Sequence, residues 1–99
     1  MNRAWDKIDF YRTTPGVRHK KMGVLLSDIT SAKRLERLMD EVIELIGAPH
    51  DLDEMADVAA ILFHHVQSEG YTLQQFEDRI IEKLAERLEV PGGGEEKGK

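Results

Sequence analysis

The 99-residue chain contains no cysteine, only three prolines and one tryptophan. The missing thiol excludes a disulfide scaffold, a thiolate zinc site and a cysteine nucleophile together. No stretch approaches the roughly 20 consecutive apolar residues of a membrane-spanning helix, and residues 1–10 carry no apolar segment of the secretory kind. Gly92-Gly93-Gly94 lacks the Lys-Ser/Thr pair and preceding strand of a phosphate-binding loop. No Ser–His–acid arrangement can be assembled either. These absences lead to the expectation of a cytoplasmic, soluble chain of one domain, because chains divide only well beyond this length.

What is present is ordinary globular composition, 40% apolar and 33% charged. The net charge of −5 is unevenly spread. Residues 1–27 are net +4, with Arg3, Lys7, Arg12, Arg18, Lys20 and Lys21 against Asp6 and Asp9, whereas residues 28–99 are net −9. Such a chain offers no continuous basic face, so nucleic acid is not the expected partner. The pattern suits carboxylates that hold a divalent cation beside basic groups that meet phosphate. It equally suits a solvated acidic surface with a basic arm.

Periodicity predicts an all-α fold. Residues 1–23 read as a basic, irregular arm, with a turn at Thr13-Thr14-Pro15-Gly16. Val24-Leu25-Leu26 is too short to classify, and Ser27-Asp28 offers capping side chains. Leu35, Leu38, Val42, Leu45 and Ile46 share one stripe of a helix over 31–46, which Gly47 ends. A second helix over 52–69 starts at Asp51, with Glu54 as a capping-box partner, and closes at Gly70. Thr72 and Gln75 repeat that cap for a third helix over 73–89. The expected architecture is an antiparallel helical hairpin with a third helix packed on it, in a domain over 24–90. A disordered tail over 91–99 follows. So small a set of amphipathic helices leaves apolar surface for a homodimer or higher oligomer to cover.

Glu41 and Glu44 lie about 60° apart on neighbouring turns of the first helix, and Glu54 and Asp57 have the same relation on the second. On adjacent antiparallel helices the two pairs can converge on Mg²⁺ or Mn²⁺, which take oxygen ligands. The same spacing is common on solvated faces, and Glu54 has a competing task in its helix cap.

Arg37-Leu38-Met39-Asp40-Glu41-Val42-Ile43-Glu44, followed by Asp53-Glu54-Met55-Ala56-Asp57-Val58, resembles the E-E-x-x-E…E-x-A-D signature of the all-α nucleoside triphosphate pyrophosphatases. These are the MazG-like and phosphoribosyl-ATP pyrophosphohydrolase-like proteins, and the similarity is greatest to the small phosphoribosyl-ATP pyrophosphohydrolase-like branch. Gly70-Tyr71-Thr72-Leu73 resembles that branch's turn, and Glu82-Lys83-Leu84-Ala85-Glu86-Arg87 resembles its helix ending. The resemblance spans about residues 24–90. It implies Mg²⁺ held by Glu41, Glu44, Glu54 and Asp57, with Glu41 and Glu44 as catalytic carboxylates. Arg37, Lys83 and Arg87 would be the contacts to substrate phosphate. Asp40 stands where the pattern has a Glu. The implied reaction is hydrolysis between the α- and β-phosphates of a nucleotide, with release of pyrophosphate. A non-catalytic nucleotide-binding or interaction module is the alternative.

Among the remaining residues, His64 shares the face of Asp57 and suits a partly buried, hydrogen-bonded role, while His65 leans toward Val58. His19 and His50 carry no pattern. Trp5, Phe10 and Tyr11 suit packing, against a neighbouring subunit, better than stacking on a base.

Overall fold

The computed structural model describes residues 2–91, so nearly all of the expected tail lies outside the described residues. The element order is α1 (Arg3–Thr13), β1 (Arg18–His19), β2 (Val24–Leu25), a 3₁₀ turn (Leu26–Asp28), α2 (Ser31–Gly47), α3 (Leu52–Ser68) and α4 (Leu73–Arg87). The fold is all-α apart from the two short strands, and α2 and α3 form its antiparallel centre.

The segment expected to be an irregular arm instead begins with a helix. Asn2 caps α1 by accepting the Trp5 N–H at 2.9 Å. Trp5 is the most deeply buried residue of α1, with Ile8, Asp9 and Arg12 half-buried on the same face. Trp5 is only 7% exposed, and its ring lies edge-on to Phe63 and stacked near Phe76, with centroids 5.4 and 6.2 Å away. Gln67 on α3 donates to the Trp5 carbonyl at 2.8 Å. The aromatic expected to meet another subunit is therefore spent within the chain, while Phe10 and Tyr11 are exposed. With a single deeply buried residue and a polar remainder, α1 has no apolar period for a sequence to reveal.

Thr14 hydroxyl donates to the Phe10 carbonyl at 2.6 Å as α1 ends, and the chain turns through Pro15-Gly16 into a hairpin. Its strands pair Arg18 with Leu25 and His19 with Val24. The turn between them needs Gly23, whose φ of +71° is costly for a side chain with a Cβ. Ser27 and Asp28 lie in the 3₁₀ turn, and Thr30 is the residue that caps α2, accepting from the Lys33 N–H at 3.2 Å. α3 ends at Gly70 (φ +94°), where Gly70 N–H reaches Gln67 O and Tyr71 N–H reaches Val66 O. The predicted Thr72–Gln75 capping box starts α4.

The stripe that α2 turns inward is not its most apolar one. Arg34 and Glu41 are buried and Leu38 and Leu45 half-buried, while Leu35, Met39, Val42, Ile43 and Ile46 remain exposed. At 100° per residue Arg34, Leu38, Glu41 and Leu45 fall within about 60° of one another, and the exposed apolar residues continue round the helix from that stripe. α4 meets the remainder through Phe76, near Trp5 and Phe63, and leaves Ile80, Ile81, Leu84 and Leu88 exposed. The molecule is correspondingly extended. Its radius of gyration is 16.2 Å, against about 13 Å for a compact chain of this length.

Candidate metal centre

The Ala48–Asp51 connection sets the last turns of α2 against the first turns of α3. Glu41 and Glu44 on α2 then face Glu54 on α3, and one oxygen from each lies within 4.8 Å of the other two. Glu41 is only 4% exposed, Glu54 is half-buried and Glu44 is exposed.

The partners of these oxygens are few. Glu41 Oε2 lies 3.7 Å from an Arg37 terminal nitrogen, one turn earlier on α2. Glu41 Oε1 is buried and has no hydrogen-bond partner among the described residues, and the same holds for Glu54 Oε1. The capping task that competes for Glu54 is filled otherwise. Asp51 itself accepts from the Asp53 N–H at 2.8 Å, and the Asp51 N–H is already bonded to Ala48 O at 3.0 Å. The N-cap N–H that a capping box would offer Glu54 is thus taken, and the Glu54 carboxyl lies in the cluster instead.

Burial raises the pKa of Glu41, and the negative charges of Glu44 and Asp57 raise it further, against a smaller opposing effect of Arg37 and Lys21. Glu54 is raised as well, first by desolvation and then by Glu44, Asp51, Asp57 and Glu41. Carboxylates crowded in this way are costly to ionise together unless a cation sits among them. Hard oxygen donors, two of them buried and unpartnered, fit a divalent cation such as Mg²⁺ or Mn²⁺.

The other residues expected here divide. Asp57 is exposed, and its charge bears on both Glu41 and Glu54, but it is outside the set of mutually close oxygens. Arg37 adjoins the cluster through its ion pair with Glu41. Lys83 and Arg87 line a groove on α4 with Phe76, Arg79, Ile80 and Leu84, and neither belongs to the acidic cluster. A basic residue that sequence reasoning passed over does approach it. Lys21, in the hairpin turn, is near enough to Glu41 and to His19 to shift both, and Arg37 also bears on His19. The basic run Arg18–Lys21 was visible, but only the folded hairpin carries it to α2.

Further along the same helix pair the charge reverses. His65 Nδ1 accepts from Arg34 Nε at 3.3 Å. His64 is pushed down to about 4 by burial and then by Arg34, Arg12, His65 and His19. Along α2 the basic Arg34 and Arg37 thus precede the acidic Glu41 and Glu44, and Lys21 of the hairpin bears on Glu41. No helix among the described residues is long and apolar enough to cross a membrane.

Neither a family model, a curated protein nor a solved structure matches this chain, so the site rests on its own geometry.

Proposed function

We propose that the chain is a Mg²⁺-dependent nucleotide pyrophosphohydrolase that cleaves between the α- and β-phosphates and releases pyrophosphate. The observation that carries the reading is the pair of buried, unpartnered oxygens, Glu41 Oε1 and Glu54 Oε1, in a three-carboxylate cluster. Glu41, Glu44 and Glu54 would hold the cation, with Asp57 adding negative charge beside them. When bound, the ion supplies Lewis-acid stabilisation of phosphate oxygens and lowers the pKa of an attacking water. Arg37 and Lys21, the cations nearest Glu41, are suited to the remaining charge on the phosphates. Glu44, exposed at the rim, can be reached by water and can accept its proton on the oxygen it does not give to the cation. Glu41 is fixed in place by burial and holds the position of the ligand set.

The exposed apolar face of α2, continued by Leu52 and Met55 on α3, supports assembly with a second copy of the chain. That face also favours a second reading, a non-catalytic helical interaction module. Pyrophosphate release from a panel of nucleoside triphosphates and phosphoribosyl nucleotides, with Mg²⁺ or Mn²⁺, separates the two. The enzyme reading expects release by the wild type and a loss of at least about 10–100-fold in Glu41→Gln, the scale on which even the partners that orient metal ligands act. No release across the panel favours the interaction module, and release unchanged in Glu41→Gln removes the ligand assignment.

A further inference from the structure

Beside Arg34 a cavity of about 310 Å³ opens where α1, the 3₁₀ turn, α2 and α3 meet. Arg12, Ser27, Ser31, Arg34, His64 and Ser68 line it, and no carboxylate is among the described residues that do so. Arg34 is 7% exposed and is held by Ile29 O at 2.7 Å, so its guanidinium is fixed before any ligand arrives. Arg12 is steadied through a terminal nitrogen by Asp9 at 2.7 Å, while its Nε is buried with no partner among the described residues. Glu69 approaches from outside the lining, 3.1 Å from the Ser31 hydroxyl and 3.4 Å from Arg34.

We propose that this cavity is an anion site that takes a tetrahedral phosphate, as the free ion or as the end of a small phosphomonoester. Charge-assisted bonds to guanidinium are among the strongest available, and both guanidiniums keep N–H groups beyond those given to Asp9, His65, Ile29 O and Glu69. With the Ser31 hydroxyl committed to Glu69, the donors left are Ser27, Ser68 and the two guanidiniums, one from each of the four elements that meet here, a spread that suits a tetrahedral oxyanion better than a planar carboxylate. The local field agrees, because every charge that shifts His64 comes from Arg34, Arg12, His65 and His19, and each opposes a further positive charge there. Apolar Leu26 and Ile29 also line the cavity and leave room for the carbon attached to a monoester.

The site is distinct from the acidic cluster. Arg34 and Glu41 are seven residues apart on α2, about 10 Å along the axis. The test is an NMR titration of the ¹⁵N-labelled full chain, stripped of metal in EDTA, with inorganic phosphate and, separately, glycerol 3-phosphate. Saturable shifts are expected at the backbone amides of Ser27 to Arg34 and at the Arg12 Nε–H. Equal or tighter binding of glycerol 3-phosphate assigns the site to monoesters, and binding of inorganic phosphate alone assigns it to the free ion. Ser27→Asp, at an exposed turn position, places a carboxylate in the cavity and should weaken binding about tenfold or more, as should Arg12→Gln. The proposal is overturned by absence of saturable shifts at these positions, or by a Ser27→Asp affinity equal to the wild type. Because no divalent cation is present, failure here leaves the acidic cluster untouched, and a failed pyrophosphate assay leaves this cavity untouched.

Discussion

Two charged side chains from one stripe of α2 are buried seven residues apart, and their surroundings differ. Arg34 donates to Ile29 O, to His65 Nδ1 and to Glu69, so its charge is answered within the chain. Glu41 has a 3.7 Å ion pair on one oxygen and no hydrogen-bond partner among the described residues on the other, and its nearest acidic neighbours repel it. A satisfied buried charge holds a fold together, whereas an unsatisfied one costs stability until a ligand arrives. Arg34 is therefore a structural charge that still keeps N–H groups to spare, whereas Glu41 is a buried charge that the described residues leave unanswered.

The sharpest way to break this comparison is to remove each charge in turn. Arg34→Met leaves the Ile29 carbonyl and His65 without their donor and should cost about 2–3 kcal/mol. A chain of this size would then melt roughly 10–20 °C lower, which differential scanning calorimetry would register. A loss within error would mean that Arg34 is not a structural charge.

Acidity should distinguish the two regions by opposite slopes. His64 binds a proton near 6.5 when unfolded and only near 4 when folded, so its contribution to stability falls as pH drops through that window. Glu41 and Glu54 are raised above 4.5 in the fold, so metal-free protein loses their contribution as pH rises above that value. In the wild type the two trends oppose each other. Urea denaturation between pH 4.5 and 6.5 should give a more negative slope of stability with pH in His64→Gln and a more positive one in Glu41→Gln. Identical slopes in the two variants would contradict the assignment.

Without metal, Glu41→Gln should stabilise the fold by about 1 kcal/mol or less, because it removes a charge that its neighbours disfavour. The smallest expected effect is that of Lys21→Ala. It removes one cation near Glu41 from an exposed turn, and thermal stability should change by less than about 0.5 kcal/mol. If the hydrolase reading holds, its KM should rise while kcat changes little.

The sequence was most legible where local rules suffice. The helices over 31–46, 52–69 and 73–89 appear as Ser31–Gly47, Leu52–Ser68 and Leu73–Arg87, because period and caps act within a few residues. The convergence of Glu41, Glu44 and Glu54 was legible for the same reason: a four-residue connection makes the helices antiparallel and fixes which turns face each other. α1 was hidden because its one deeply buried residue is a tryptophan packed on aromatics 58 and 71 residues away. The inward stripe of α2 was misjudged because hydrophobic period marks where apolar residues lie, and part of that apolar arc is left uncovered by α3. The proximity of Lys21 and Arg12 to α2 depends on the hairpin and α1, neither of which a periodic pattern announces.

The account turns on whether the acidic cluster binds a divalent cation. Calorimetric titration of Mn²⁺ into the EDTA-stripped and desalted chain measures this directly. One saturable site is expected, with a thermal stabilisation near 2.7 kcal/mol when the ion is at about 100 times its Kd, and loss of both in Glu41→Gln. Absence of saturable binding, or equal binding by wild type and Glu41→Gln, would contradict it.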